Sequence, residues 1–259
     1  MRELDAIAAL LVRDLRGFVR SRSQLYSSVI FPLMLLAILG VGVRDGLDPR
    51  NIDDYVTFLT SGMIAMTALF SSTFSSATYY QDRDSGILRV LYTSPHSQRV
   101  VLLGKALSSV VIGVAQALIV LAVAAVIPAI HFQWQYGVAQ SVALAVLAVI
   151  LLNLFLSGLG QVLASRIRSM QGFHLVMNLV LLPFLFFSGA FFPLDHLPLW
   201  LKILGRVNPL SYGVDLMQMS LYARGSDGYF GVPLDLTVLA LVSIAVFYLG
   251  TSRNVSVER

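Results

Sequence analysis

Between Lys105 and Arg166 the chain runs for sixty residues without a single Asp, Glu, Lys or Arg. A charge at the centre of a bilayer costs about 2.5–3.5 kcal/mol on an insertion scale, so apolar runs of this kind read as helices in lipid. A buried core helix of a soluble domain would span only about 10–14 apolar residues, too few to fill the gap. The rest of the 259 residues agree, with 57% apolar and 12% charged, where soluble domains carry about 25% charged. The expectation is an all-α membrane protein, one transmembrane domain over residues 1–259 with no soluble domain of any size.

Six spans are expected, at residues 26–43, 55–80, 106–130, 137–165, 172–192 and 236–250. Runs of about twenty residues cross a core of roughly 30 Å at about 1.5 Å per residue. With both termini inside, the inner segments hold 13 of the 18 Lys and Arg residues. That excess puts both termini in the cytoplasm and accounts for the net charge of +4 without nucleic acid.

Residues 1–25 read as an interfacial amphipathic helix rather than a signal peptide, with a simple positive anchor for the first span as the alternative. Leu4, Ile7, Ala8, Leu11, Leu15, Phe18 and Val19 fall on one face, and Arg2, Arg13, Arg16 and Arg20 on the other. Arg13, Arg16 and Arg20 are expected to reach headgroup phosphates.

Several chemistries are excluded. There is no cysteine, and His96, His131, His174 and His196 lack metal-ligand spacing. Gly104-Lys105 is followed by Ala106, with Arg99 in place of the first P-loop glycine, so no nucleotide site is expected. Neither a Ser-His-Asp arrangement nor HExxH is found, and no catalytic or metal residue is assigned. None of the expected spans contains an acid, which argues against ion-coupled transport.

The inner segment Gln81–Lys105 opens Asp82-Arg83-Asp84-Ser85-Gly86, after which Ile87, Leu88 and Leu91 share a helical face. Thr93-Ser94-Pro95 ends that short helix, and Ser94 with Pro95 can start the next. A short charged helix between two spans suits the transmission of force from a cytoplasmic partner; a solvated hairpin loop would leave its apolar face unexplained.

The segment from Pro193 to Asp235 is too apolar for a plain loop and too broken by proline to cross. A re-entrant or interfacial helical pair is expected, its second half over Leu210–Tyr222. Trp200, Tyr212 and Tyr222 suit the headgroup level. Within the spans, Ala68, Ser72 and Ser76 recur every four residues, as do Gly160 and Ala164. Close helix packing and a substrate-lining face both fit. Asn153, Gln161 and Asn178 must face protein or water.

These motifs resemble the ABC-2 type transporter permeases, the membrane subunits of bacterial ATP-binding-cassette exporters. The family carries a pattern like DRE-x-GTL-x-x-LL-x-SP before its third span. Here it stands as Asp82-Arg83-Asp84-Ser85-Gly86-Ile87-Leu88, continuing to Leu91, Tyr92, Ser94 and Pro95, with Arg89 where an acid is common. A later S-G-x-x-(F/Y)-P run and an N-P-x-x-Y element stand as Ser188-Gly189-Ala190-Phe191-Phe192-Pro193 and Asn208-Pro209-Leu210-Ser211-Tyr212.

The resemblance implies an exporter in the bacterial cytoplasmic membrane. It would pair with a second permease copy, identical or similar, and with two cassette ATPase subunits that bind the ATP and Mg²⁺. The helix over Ser85–Tyr92 would couple the two, through Asp82, Arg83, Asp84, Gly86, Leu88, Arg89 and Leu91 with Ser94 and Pro95 behind them. The cargo would be hydrophobic or amphipathic: a drug, a lipid or a lipid-linked glycan or polysaccharide. On a helix, Phe184, Phe187 and Phe191 share a face. That stripe is made of lipid-facing or core aromatics or, with Asn178, is part of a gate or substrate path between two permeases. An ion-coupled secondary transporter and a non-transporting regulatory homologue are the alternatives.

Overall fold

The computed structural model describes residues 3–42, 49–86, 98–127, 130–134, 136–167, 169–221 and 229–257. All extended regular structure among them is helical: α1 (Glu3–Arg20), α2 (Arg22–Gly42), α3 (Pro49–Asp84), α4 (Gln98–Val126), α5 (Val138–Ala164), α6 (Met170–Phe186), α7 (Leu199–Val207), α8 (Pro209–Leu221) and α9 (Val232–Val257). A single 3₁₀ turn, Leu194–His196, precedes α7.

Four helices are long and apolar enough to cross a membrane, over Tyr55–Asp84, Val100–Val126, Val138–Ala164 and Val232–Ser252. α2 and α6 hold shorter apolar stretches, Tyr26–Leu39 and Met170–Phe186. The expected fifth span to Phe192 is thus cut at Phe186, where the backbone turns through Phe187, Ser188 and Gly189. The expected helical pair after Pro193 is present as α7 and α8.

α3 is the axis of the bundle. Its apolar window is 89% buried, against 17% for α9, so α3 is enclosed by protein while α9 lies at the periphery. A helix so rich in Ser and Thr can be enclosed because most of its hydroxyls are satisfied, many of them locally. Thr60, Thr67, Ser72, Thr73 and Thr78 each donate to a carbonyl three or four residues back. Small residues then let neighbours approach. A Cβ placed on Gly160 of α5 would lie 2.0 Å from Ser76 Oγ, and one on Gly158 would lie 2.7 Å from the Phe247 backbone of α9. For Ser76 and Gly160, packing is therefore what the small side chains accomplish.

Asn153 closes the centre. Its Oδ1 accepts from Ser71 of α3 and, at 3.3 Å, from Ser109 of α4, while its Nδ2 donates to Val149 O at 2.9 Å. Gln161 donates to Leu102 O, and Gln116 ties α4 to Ser28 of α2 at 2.6 Å. Asn153 and Gln161 thus face protein, as the cost of burying an amide demands. Asn178 does not: it is exposed on α6 among Leu175, Leu179 and Leu182.

Candidate functional site

The helix before the expected coupling segment runs past its expected end at residue 80. α3 continues through Asp84 and α4 begins at Gln98, so Asp82, Arg83 and Asp84 form the last helical turn, and Lys105 lies well inside α4. The reason is electrostatic. Lys105 Nζ reaches Asp82 Oδ2 at 2.8 Å and Asp14 Oδ1 of α1 at 3.2 Å, and also bonds Thr78 Oγ1 at 3.2 Å. Arg13 completes the group through Asp82 and, at 3.0 Å, Asp14. Two cations and two carboxylates neutralise one another where α1, α3 and α4 meet, which lets Lys105 be 2% exposed.

Arg13 was expected to face headgroup phosphates, and this pairing corrects that. Burial works against its charge, but the bond to Asp82 and the fields of Asp14 and Asp82 outweigh it and hold the guanidinium above its ordinary value. Arg16 and Arg20 are exposed. On α1 the residues turned toward the bundle are Ile7, Leu10, Leu11, Asp14, Leu15 and Phe18, whereas Leu4 and Val19 of the expected apolar face are open. Leu10 packs closely on Gly104 of α4, one turn of contact that seats Asp14 beside Lys105.

The same end of α3 also holds α5 and α6. Arg83 donates to Ala164 O at 2.6 Å, meeting the negative C-terminus of α5, and lies over the Tyr80 ring at 5.9 Å. Tyr80 donates to Ile167 O at 3.3 Å and stacks on Phe173 of α6 at 5.7 Å. Beyond Asp84 the helix ends in a left-handed cap: Gly86 has φ of 76° and donates to Arg83 O at 3.2 Å. The chain then enters residues 87–97, so Leu88, Arg89, Leu91, Ser94 and Pro95, and the short helix expected there, lie outside the described residues.

A second constellation forms where the two later motifs meet at the other end of α3. Asn208 Nδ2 donates to Phe184 O at 2.6 Å, and its Oδ1 caps α8 by accepting from Leu210 N at 3.0 Å. Gln218 donates to Gly189 O at 3.0 Å, and Tyr55 of α3 donates to Phe191 O at 3.2 Å. Gly189 has φ of 83°, and Ala190 O presses on Gly62, where a Cβ would lie 2.3 Å away. The helical phenylalanine stripe is therefore corrected. α6 stops before Phe187, Phe184 stacks on Phe155, and Phe191 folds back onto Phe186 at 5.1 Å.

α9 begins before the expected span of 236–250. The candidate span Val232–Ser252 contains Asp235, fully buried in its first turn.

Sequence comparison fits this organisation. A family model for ABC-2 type transporters matches residues 5–222, from the first turn of α1 past the end of α8. The chain is similar to "Probable multidrug ABC transporter permease YbhR" of Escherichia coli K12, 28% identical over 177 residues, covering 67% of this chain and 45% of YbhR. The chain thus spans less than half the length of that relative. It is also similar to "Nodulation protein J" of Rhizobium leguminosarum bv. trifolii, 30% identical over 190 residues, 72% of this chain and 70% of that protein. The match takes in the charge node, the capped end of α3 and both later motifs, and the chain belongs to the ABC-2 type transporter family of membrane permeases.

Proposed function

We propose that this chain is the permease subunit of an ATP-driven exporter in a bacterial cytoplasmic membrane. In this reading all six apolar helices cross, α2, α3, α4, α5, α6 and α9. α1 lies in the cytoplasmic interface, and α7 and α8 form the re-entrant or interfacial pair on the far side. α6 has 17 residues. At about 1.5 Å per residue it falls a little short of a core of roughly 30 Å, and the turn through Phe191 supplies the remainder.

The observation that carries the proposal is the node of Arg13, Asp14, Asp82 and Lys105. It joins α1, α3 and α4, the last two being the helices that lead into and out of residues 87–97, where the family pattern places the ATPase contact. A push on that segment reaches three helices through one neutral cluster built around the buried Lys105. Two cassette ATPase subunits would dock there and carry ATP and Mg²⁺, and a second permease copy would complete the path for a hydrophobic or amphipathic cargo. The names of the relatives, multidrug permease and nodulation protein, agree with that breadth.

Tagged protein purified from its own membrane should carry a cassette ATPase, and inverted vesicles should accumulate cargo only with hydrolysable ATP. Recovery of the intact chain without an ATPase overturns the reading. Single cysteines at Asp195 and Ser169, both exposed, fix the orientation. Asp195 should label from outside with an impermeant maleimide, and Ser169 only after permeabilisation. The buried Asp235 is the one observation favouring the ion-coupled alternative; transport abolished by a protonophore but indifferent to ATP would establish it.

A further inference from the structure

At the end of the bundle remote from the charge node, α8 and the start of α9 bring two carboxyl groups together. Asp215 Oδ2 accepts the amides of Tyr229 at 3.0 Å and Phe230 at 2.9 Å, just before Gly231 turns the chain into α9. Asp235, one turn into α9, is 0% exposed, and neither of its oxygens meets a donor among the described residues. What it does reach, within hydrogen-bonding distance, is the side chain of Asp215. Two ionised carboxylates have only acceptors to offer, and repel; the contact closes when one keeps its proton.

Among the described residues no cation is in contact with either carboxyl. Asp195, on the 3₁₀ turn before α7, adds a further negative field at Asp215. Arg206 of α7 lies over the Tyr229 ring at 5.9 Å and its backbone carbonyl accepts from Tyr212 of α8. Tyr212 in turn stacks on Phe230 at 4.5 Å, walling the site with rings. α5, packed along α9, carries no ionisable residue. On the segment before α5, His131 is exposed, its amide bonded to Thr57 of α3. The described ionisable residues of α3 here reduce to Tyr55, which is bonded to Phe191 O.

We propose that Asp215 and Asp235 form a proton-binding site, one proton shared between the two carboxyls and fastening the start of α9 to α8. Asp215 already accepts amide hydrogens and Asp235 accepts none, so Asp235 is the donor in the shared bond. Burial also pushes the Asp215 carboxyl above its ordinary value, against the pull of the two amides. The sign follows from linkage. The folded chain holds a proton that free carboxylates would release, so stability is full at low pH and is lost as pH rises through the titration of the pair. This inference is independent of what the permease carries.

The test uses the full chain in lipid nanodiscs. Unfolding temperature is followed from about pH 5 to pH 9, the range over which such a pair would titrate. The wild type should lose stability on the alkaline side. Asp235→Asn keeps a donor toward Asp215 without a titrating proton, and should remove that slope. Infrared spectra of wild-type protein with labelled aspartate should show a protonated carboxyl at neutral pH; they decide the matter alone if the variant does not accumulate. No protonated aspartate in the wild type, or an unchanged slope in Asp235→Asn, overturns the proposal. So does a rise in unfolding temperature on adding calcium that Asp235→Asn abolishes, because the pair would then hold a cation in place of the proton.

Discussion

Lys105 Nζ of α4 and Asp82 Oδ2 of α3 meet at 2.8 Å, and Asp14 of α1 lies on the other side of the same ammonium. Lys105 is nearly inaccessible, so its charge depends on these partners in place of water. An isolated buried charge is far more costly than a matched pair, and the two carboxylates must be present together with the two cations. Helix α1 is thereby tied to the bundle by charge as well as by the seating of Leu10 on Gly104.

Removing one partner should cost much more than removing two. Lys105→Met leaves Asp14 and Asp82 with Arg13 alone, one carboxylate in excess, and should destabilise the protein by about 3 kcal/mol. The double variant with Asp82→Asn should be less destabilised than the two single losses added together. Unfolding in detergent, analysed as a double-mutant cycle, measures this; simple additivity would mean the pair is not coupled.

At the cap of α3, Gly86 should be replaceable only at a cost. Its φ of 76° is open to glycine and disfavoured for other residues. Gly86→Ala should cost about 1–2 kcal/mol locally, and Gly86→Pro cannot adopt the angle at all. Both should insert normally and fail to stimulate the partner ATPase, as should Leu88→Asp. Full stimulation by Gly86→Pro would remove the capped end from the coupling route.

The close approach of α3 and α5 gives a reciprocal test. Gly160→Ala places a methyl against Ser76, whose own Cβ is 2.7 Å from the new one. The single variant should lower the unfolding temperature, and Ser76→Gly in the same chain should restore most of it. Absence of rescue would show that another neighbour sets the limit.

Much of this was legible in the sequence, for identifiable reasons. Uncharged runs and their caps mark helices, because lipid and backbone geometry act residue by residue. Asn153 and Gln161 face protein because the cost of a buried amide does not depend on tertiary detail. The charge node was not legible. Asp14 sits beside Arg13 on an ordinary-looking amphipathic helix, and their distant partners, Lys105 for Asp14 and Asp82 for Arg13, are 91 and 69 positions away. Any signal lay in Lys105 itself, a lone cation at the edge of a sixty-residue uncharged stretch. The phenylalanine stripe misled for a local reason: the chain leaves the helix at Phe187 and turns at Gly189, before the periodicity reaches Phe191.

The unpaired face of α6 leads to the last prediction. Leu175, Asn178, Leu179, Leu182 and Phe186 follow a helical spacing, and all five are exposed, Leu175 by 72% and Leu179 by 71%. Leucines alone would suit lipid. Asn178 in their midst would not, since an amide in hydrocarbon needs a partner, and a second α6 supplies one when two copies pack face to face. In the proposed permease pair this face, and not the expected stripe, would flank the path. Cysteines at Leu179 and Leu182 should therefore cross-link to their twins in native membranes. A cysteine at Phe191, which is buried against its own chain, should not. Asn178→Leu should weaken pairing in detergent, and Asn178→Gln should retain it. If Leu179 and Leu182 stay uncrosslinked while a cysteine at Phe191 forms dimers, the helix faces lipid and the contact between copies runs through the turn beyond it.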